Sequence, residues 1–372
     1  MISSRTLDTA IDTQNLFLIQ LILDELPYGS AYDNSFVIRY AAEHGYETVV
    51  KKYIMDIDVD PAACDNYAIR KAAKNGHTNI VRLLLSNRDV DPSARDNYAI
   101  RKAALYGYDC IVQMLLRDQR VNPACCNNYP LIYAAKNGHL NIVSMLAADP
   151  RVDLADQDNM AIRFASIFNR LDVVQYLLWS RRVNPSVLDN YAAVWAAYYN
   201  NIHIVKLLAT DPRVDLSARD NQILISAAEC GYYDLVEFVL TDPKVNPSAQ
   251  SNAAINWAAA NSHIEIVEML LTHPKFSITS YDYADLMRNA AHDIYVTKLL
   301  KRYKQLLRFT RAAVPTTTVI MEDSIVNTHV ASFPQNLSFV QSVIDVLQDA
   351  NITATNVVVS CVPGTSYLTI GF

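Results

Sequence analysis

The feature that most constrains this chain is an internal repeat with a period of 31 residues. Two landmarks recur in one register, the dipeptide Asp-Asn and a pair of small residues seven positions after it. Asp-Asn begins at positions 33, 65, 96, 158, 189 and 220, and Asn127-Asn128 and Ser251-Asn252 take the equivalent places. The small pairs run from Ala72-Ala73 to Ala258-Ala259. Such a register predicts an array of similar supersecondary units, each stable only against its neighbours.

One unit of the repeat predicts two short helices. The dipeptide Asp65-Asn66 is expected to cap a first helix over residues 67–74. Gly76 ends that helix, because glycine tolerates the positive φ of a tight turn. The apolar run over residues 80–85 predicts a second helix with one buried face. The small pair inside the first helix lets neighbouring helices approach closely.

The chain resembles the ankyrin-repeat family, and specific segments carry the likeness. They are AAKNGHTNIVRLLL over residues 72–85 and AAKNGHLNIVSML over residues 134–146. The resemblance covers roughly residues 5–311 and implies a stack of helix-turn-helix units.

Two departures from the family pattern shorten the unit to 31 residues. Tyr-Ala-Ile-Arg replaces the family's Thr-Pro-Leu-His, and the loop after the second helix is shorter. The Asp-Pro-Arg-Val-Asp loops and Asp-Asn-Tyr-Ala openings are similar to ankyrin arrays of amoeba-infecting giant DNA viruses.

The repeat divides the chain into four predicted parts. Residues 1–32 are N-terminal capping helices, residues 33–280 are eight ankyrin-like repeats, and residues 281–313 are C-terminal capping helices. Residues 314–372 form a separate module. The predicted fold class is mostly α, an ankyrin-like helix-turn-helix solenoid with a small C-terminal α+β module.

The C-terminal module differs in composition from the repeats, because residues 314–372 contain no Lys or Arg and four acidic residues. β-Branched runs predict strands over residues 316–321, 357–362 and 366–372, and an amphipathic run predicts a helix over residues 337–349. A strand-helix-strand-strand unit of this size buries little core alone. It must pack on the last repeats, pair with another copy or dock on a partner.

No sequence motif predicts catalysis. The chain has no Gly-rich phosphate loop, H-E-x-x-H, G-x-S-x-G or paired C-x-x-C. His77, His139 and His263 lie in the inter-helix turn, where the family resemblance implies a structural role. We expect no enzyme activity, no catalytic residue, no metal site, no cofactor and no small-molecule substrate.

Composition and charge predict a soluble, intracellular protein that is not secreted, in the host cytoplasm or the virion if it is viral. The six cysteines have no recurring spacing, which indicates free thiols. The N-terminus lacks a signal-peptide pattern, and no apolar run reaches the ~18–20 residues of a membrane helix. The net charge of −6 argues against nucleic acid and anionic lipid as partners.

The predicted binding surface lies directly after the small pair, where the family resemblance implies a concave, exposed face. Three central repeats place large apolar groups there, whereas neighbouring repeats place charge. The candidate residues are Leu105, Tyr106, Ile167, Phe168, Tyr198 and Tyr199. Exposed aromatics of this kind are typical of interface hot spots. The alternative is that these rings pack sideways across the groove between repeats.

Other aromatic residues recur within the pattern itself. Tyr67, Tyr98, Tyr129 and Tyr191 are expected to pack between repeats. Trp195 and Trp257, just before the small pair, are expected to be half-buried.

Two basic features complete the candidate surfaces. Arg70, Arg101 and Arg163 recur at multiples of 31 residues and would form a basic row that contributes to partner binding. The final helix carries six basic residues and no acid: Lys298, Lys301, Arg302, Lys304, Arg308 and Arg311. They form either a solvated capping face or a site for an anionic partner.

The leading functional hypothesis is a non-catalytic scaffold that binds a protein partner in the concave groove of the solenoid. The alternative is a viral structural or assembly component that uses residues 314–372 to self-associate or anchor. The sequence predicts a protein partner without naming it.

Overall fold

The structure, a computed structural model, describes residues 4–24, 34–312, 356–362 and 365–371. These residues form twenty helices and two strands. The chain divides into two compact units, residues 1–223 and residues 224–372.

The unit of residues 1–223 consists of helices in consecutive pairs, which we call the first and second helix of a repeat. The helices are α1 (Ser4–Asp12), α2 (Leu16–Asp24), α3 (Asn34–His44), α4 (Glu47–Tyr53), α5 (Ala63–Asn75), α6 (Thr78–Leu85), α7 (Ala94–Tyr106), α8 (Asp109–Leu116), α9 (Cys125–Asn137), α10 (Leu140–Ala147), α11 (Asp156–Ile167), α12 (Leu171–Leu178), α13 (Val187–Tyr198) and α14 (Ile202–Leu208). Helices α1 and α2 lie where the N-terminal capping pair is predicted.

The pairs continue along the rest of the chain, starting with α15, which begins before residue 224. They are α15 (Ala218–Cys230), α16 (Tyr233–Leu240), α17 (Ala249–Ala260), α18 (Ile264–Thr272), α19 (Ser280–Asn289) and α20 (Ile294–Ala312). A side-chain cap starts α19, where Thr279 accepts a hydrogen bond from the N–H of Asp282.

The small pairs lie in the core, as predicted. Ala72, Ala73 and their equivalents in the later repeats have no exposed surface. Ile80, Val81 and Leu84 on α6 are also buried, and they recur on the second helices that follow. The close approach that the small side chains allow therefore brings successive repeats into contact through apolar surface.

Seven first helices, α5, α7, α9, α11, α13, α15 and α17, begin differently from the prediction. Three successive residues adopt left-handed backbone angles before the right-handed helix begins. The triplets are residues 64–66, 95–97, 126–128, 157–159, 188–190, 219–221 and 250–252. Asp65-Asn66 is therefore not the predicted helix cap: no side chain caps α5, and both residues lie inside the left-handed triplet. Asp and Asn suit this region because they tolerate it better than other non-glycine residues.

In five of the triplets the final asparagine instead joins two repeats. The Oδ1 atom of Asn66 accepts a hydrogen bond from the backbone N–H of Asp91 at 2.7 Å. Asn97, Asn128, Asn159 and Asn190 do the same for the residue 25 positions on, at 2.7–3.2 Å. The recurring Asn is thus a tie between neighbouring loops.

The turn after the first helix is also shared between repeats. Gly107 has a φ of +82°, and a Cβ there would lie 2.6 Å from Cε1 of His139. The Nε2 atom of His139 is 3.2 Å from the carbonyl oxygen of Leu105 in the preceding repeat. His77 and His263 make the same contact with the carbonyl oxygens of Glu43 and Glu229. These histidines have the structural role that the resemblance implies.

A two-stranded antiparallel hairpin lies at the C-terminus. It consists of β1 (Asn356–Val362) and β2 (Thr365–Gly371), with Val359 paired with Leu368. The two strands coincide with the last two predicted ones. The predicted strand over 316–321 and the predicted helix over 337–349 lie outside the described residues, so the α+β module as a whole stays a prediction.

Candidate functional site

Five consecutive first helices, α5, α7, α9, α11 and α13, share a face on which no side chain is fully buried. Four positions of each helix form it, and we call it the aromatic surface. Its residues are Tyr67, Lys71, Lys74, Asn75, Tyr98, Lys102, Leu105, Tyr106, Tyr129, Tyr133, Lys136, Asn137, Met160, Phe164, Ile167, Phe168, Tyr191, Trp195, Tyr198 and Tyr199. All twenty lie in the unit of residues 1–223.

Helix geometry explains why these positions share a face. In α7 they are residues 98, 102, 105 and 106, a spacing of four, seven and eight that returns to one side of a helix. The buried pair Ala103-Ala104 faces the core. Eleven of the twenty side chains are aromatic, four are Lys and none is acidic.

The predicted binding residues occupy the ends of three of these helices. Tyr106, Phe168, Tyr198 and Tyr199 are 47%, 42%, 46% and 53% exposed. The other two candidates, Leu105 and Ile167, are partly buried. The aromatic rings therefore offer about half of their surface to a partner.

Four aromatic side chains of α13 form one cluster. The ring of Trp195 lies 5.4 Å from that of Tyr198, 6.3 Å from that of Tyr199 and 5.7 Å from that of Tyr191. Tyr198 and Tyr199 meet edge to face at 5.2 Å. The indole Nε1 of Trp195 is a buried atom without a hydrogen-bond partner in the described part of the chain. Trp195 itself is half-buried, as expected.

A second cluster joins α9 and α11 around a lysine. The ammonium group of Lys136 lies 4.6 Å from the ring centre of Phe168 and 5.7 Å from that of Phe164. The two phenylalanine rings meet edge to face at 6.2 Å. A cation held over aromatic faces is attracted by their quadrupoles, so this part of the surface combines apolar area with positive charge.

These contacts fit each of the two interpretations in part. Phe168, Tyr198 and Tyr199 pack against other groups of the surface, which a packing role requires. Each ring is also about half exposed, which a binding role requires. The choice between the two interpretations is therefore a matter for experiment.

The recurring tyrosines pack between repeats, as expected. The guanidinium carbon of Arg70 lies 5.7 Å from the ring of Tyr67 in its own repeat and 5.6 Å from the ring of Tyr98 in the next. Arg101 lies in the same way between Tyr98 and Tyr129, at 5.8 and 5.6 Å. Alternating arginine and tyrosine side chains thus connect α5, α7 and α9.

The arginine row does not form the predicted basic surface. Arg70 and Arg163 are only 6% and 7% exposed, and Arg101 is partly buried. Each guanidinium group donates to two carbonyl oxygens of its own left-handed triplet. Arg163, for example, donates to Asp158 and Gln157, both at 2.9 Å. The row therefore stabilises the triplets, because charged donors make the stronger hydrogen bonds.

Two repeats that lack this arginine use a side chain from the next repeat. Ile132 and Val194 occupy the equivalent positions in α9 and α13. There the Nε2 of Gln157 donates to the carbonyl of Asn127, and the Nη2 of Arg219 donates to the carbonyl of Leu188, both at 2.9 Å. In these repeats too, a polar side chain donates a hydrogen bond to a carbonyl group of the triplet, but that side chain belongs to the next repeat.

One carboxylate binds at the edge of the aromatic surface. Glu43, at the end of α3, accepts hydrogen bonds from the hydroxyl of Tyr67 at 2.5 Å and the ammonium group of Lys71 at 2.6 Å. Burial alone raises the pKa of Glu43, but the hydrogen bonds from Lys71 and Tyr67 outweigh it, so that its pKa lies below the usual value. This contact was not predicted, although Glu, Tyr and Lys at positions 43, 67 and 71 of the sequence are its signal.

The basic residues of α20 lie in the unit of residues 224–372. Lys298, Lys301 and Lys304 are exposed, and Arg302 is partly buried. The ammonium group of Lys304 lies 4.5 Å from the ring centre of Tyr283. The side chains of Arg308 and Arg311 lie outside the described ones. Both interpretations of this helix, a solvated face and an anion site, stay open.

The described residues contain no group of three or more His, Cys, Asp and Glu side chains that could hold a metal ion. Burial raises the pKa of the Cys125 thiol to about 12, which keeps it protonated at neutral pH. Along the described residues, every helix is too short or too polar to cross a bilayer.

A family model agrees with the repeat geometry. The family model described as "Ankyrin repeats (3 copies)" matches residues 38–125, 100–189, 165–251 and 193–282. The solved ankyrin repeat domain of human ASB11 is similar to 58% of this chain over 95% of its own length, at 19% identity and a TM-score of 0.43. No curated protein matches the chain.

Proposed function

We propose that this chain, which belongs to the ankyrin-repeat family, is a non-catalytic scaffold that binds a protein partner along the aromatic surface. Ankyrin-repeat proteins are in general protein–protein interaction modules without enzyme activity of their own. The resemblance assigns the first helices to the concave groove of the array, so the partner would lie in that groove.

The observation that carries the proposal is the composition of one face. Eleven aromatic side chains share twenty neighbouring positions, and four of the rings at helix ends are 42–53% exposed. Exposed aromatic side chains grouped on one face are typical of a protein interaction site. Aromatic residues in the centre of such a patch are the ones that contribute most to binding.

A triple variant tests the proposal, namely Tyr106→Ala, Phe168→Ala and Tyr199→Ala together. We expect each lost ring to cost on the order of 1–4 kcal/mol of binding with little change in melting temperature. The measurement is affinity capture quantified by mass spectrometry, beside a thermal melt. The matched control replaces three exposed aromatics outside the surface, namely Phe17, Trp179 and Tyr281, which are 79%, 81% and 76% exposed.

Two outcomes contradict the proposal. Unchanged capture with a melting temperature several degrees lower would assign the three rings to packing, because burying one aromatic is worth roughly 1.5–3 kcal/mol. Unchanged capture with unchanged melting would remove the surface from both roles.

The alternative function, self-association or anchoring through residues 314–372, has one supporting observation. The described β1 and β2 pair only with each other in the described part of the chain, and unpaired strand edges are sites at which another strand can add. Light scattering of the full chain tests it. A monomer across the concentration range would argue against self-association. A viral role rests on the sequence resemblance alone.

A further inference from the structure

The contact of Glu43 shows how the aromatic surface binds a carboxylate. The hydroxyl of Tyr67 and the ammonium group of Lys71 lie one turn apart on α5 and bind the two oxygens of Glu43, at 2.5 and 2.6 Å. The Lys71 ammonium group also lies 4.9 Å from the ring centre of Tyr67. A tyrosine and a lysine four residues apart thus form a binding site for a carboxylate, which we call a cradle. In this cradle the carboxylate is that of Glu43, from the preceding first helix.

The same pair recurs one repeat later without a carboxylate. Tyr98 and Lys102 take the places of Tyr67 and Lys71 on α7, and the Lys102 ammonium group lies 5.5 Å from the ring centre of Tyr98. The position 31 residues after Glu43 is Lys74. The second cradle therefore has a third donor, and a second positive charge, where the first has its carboxylate.

These donors lack an anionic partner among the described residues. Lys71 forms an ion pair with Glu43, whereas neither Lys74 nor Lys102 forms one within the described part of the chain. There the Tyr98 hydroxyl also makes no hydrogen bond. All three side chains are partly buried. Equivalence with Glu43 and Lys71 places Lys74 next to Lys102, where an anion would be attracted by both charges.

The acidic residues nearest along the chain do not fill this place. Asp65 and Asp96 lie in the left-handed triplets at the starts of α5 and α7, and Asp65 forms an ion pair with Arg95 at 2.7 Å. Asp96 precedes Lys102 by six residues and forms no ion pair with it in the described part of the chain. The carboxylate of Glu43 is already bound by its own cradle.

We infer that Lys74, Tyr98 and Lys102 form a carboxylate-binding site that takes an Asp or Glu side chain of the protein partner. This inference rests on the proposed function, because the site adjoins Tyr106 and the rest of the aromatic surface. It specifies the partner as a segment that places an acidic side chain next to apolar or aromatic ones. The occupied cradle of Glu43 favours a carboxylate over other anions.

The first test fills the site from within. Lys74→Glu places a carboxylate where the preceding repeat has Glu43, so that Tyr98 and Lys102 can bind it. We expect the melting temperature of the full chain to rise by about 2 °C. The rise should vanish when Tyr98→Phe and Lys102→Met are added.

The matched control is Lys136→Glu, the same charge change on the same surface. Residues 160 and 164, which would have to supply a cradle there, are Met and Phe. This variant should melt below the wild type, because it places a carboxylate against the rings of Phe164 and Phe168. If Lys74→Glu lowers the melting temperature as much as Lys136→Glu does, the cradle does not exist and the inference is overturned.

The second test uses a phage-displayed library of random peptides selected on the immobilised full chain. We expect peptides whose capture requires Tyr106, Phe168 and Tyr199 to be enriched in Asp and Glu. Lys74→Glu, which occupies the site, should weaken their binding about tenfold. Lys51→Glu, an exposed change on α4, should leave it unaltered.

The outcomes separate this inference from the proposed function. In one outcome, the selected peptides require the three aromatic rings, show no enrichment in Asp and Glu, and bind the Lys74→Glu variant as well as the wild type. That result would overturn the carboxylate site and leave the proposed function standing. If the selection yields no peptide whose capture requires the three rings, that result contradicts both the carboxylate site and the proposed function. Binding of single-stranded oligothymidylate that Lys74→Glu abolishes, with no acidic peptide bound, would replace the protein carboxylate with a phosphate and overturn the inference.

Discussion

The two ends of the first helices make a useful comparison within the unit of residues 1–223. At the start, the left-handed triplet recurs in all five helices, and a polar side chain from the same repeat or the next donates to its carbonyl groups. At the end, the two residues after the small pair change from repeat to repeat. They are Lys-Asn in α5, Leu-Tyr in α7, Lys-Asn in α9, Ile-Phe at α11 and Tyr-Tyr at α13.

The difference teaches how to interpret a recurring residue in a repeat protein. Arg70 and Arg163 recur because every triplet needs a donor for its carbonyl groups, and they are buried. Tyr106 is exposed, and the equivalent positions of the repeats on either side, 75 and 137, are both Asn. Constant positions maintain the stack, whereas variable exposed positions can distinguish one partner from another.

The largest effect on stability should come from Arg163→Ala. The carbonyl groups of Asp158 and Gln157 lose their charged donor, so we expect a loss of about 2–3 kcal/mol in the free energy of unfolding. Urea denaturation measures it. Arg163→Lys should recover only part of the loss, because an ammonium group cannot reproduce the forked geometry of guanidinium.

The control for this change is Arg117→Ala, since Arg117 is an exposed residue that follows α8. Its substitution should stay within about 0.5 kcal/mol of the wild type. If Arg163→Ala left stability unaltered and reduced partner capture, the arginine row would belong to binding and the comparison would fail.

Much of the fold follows from the sequence because its signals are local. The period, the buried small pairs and the alternation of short helices depend on residues within one repeat, so Ala72-Ala73 and Gly76 predict them. The left-handed triplets were not predicted, because Asp-Asn before an apolar run is also a helix-cap signal. Only the contact of Asn66 with Asp91 distinguishes the two.

The candidate surface was predicted in part for a related reason. Exposure of Tyr106 and Phe168 follows from their positions after the small pair, because the buried small pair determines which side of the helix faces the core. Burial of Arg70 does not follow, because Tyr98, one of the two rings that pack on it, comes from the next repeat. The cradle of Glu43 is likewise a contact between repeats, made by residues 24 and 28 positions further along the chain.

A smaller effect is expected at the end of the first helix from Gly107→Ala. An alanine at position 107 would have to adopt a φ of +82°, and its Cβ would lie 2.6 Å from the His139 ring. We expect a loss of about 1–2 kcal/mol by urea denaturation, from backbone strain and displacement of the ring. Equal stability of this variant and the wild type would show that the turn is not constrained by the next repeat.

Asn169 provides the control for Gly107, since it occupies the equivalent position with a φ of 56°. Asn169→Gly removes a side chain that already tolerates this region, and it should change stability by less than about 0.5 kcal/mol. Partner capture by both variants should match the wild type if the turn serves only the stack.

The smallest effect concerns the pH dependence of the Glu43 contact. Because the pKa of Glu43 is lower in the folded chain than its usual 4.5, its contribution is present above that value and is lost as the pH falls through the folded pKa. Glu43→Gln should therefore reduce the loss of stability between about pH 6 and about pH 3, by less than about 1 kcal/mol. The size is modest because the Lys71 and Glu43 side chains are 22% and 28% exposed. Urea midpoints across this pH range measure it, with Glu47→Gln, an exposed carboxylate at the start of α4, as the control. Identical pH profiles for the Glu43→Gln variant and the wild type would mean that the first cradle stabilises nothing, and would remove the ground for expecting a second at Tyr98 and Lys102.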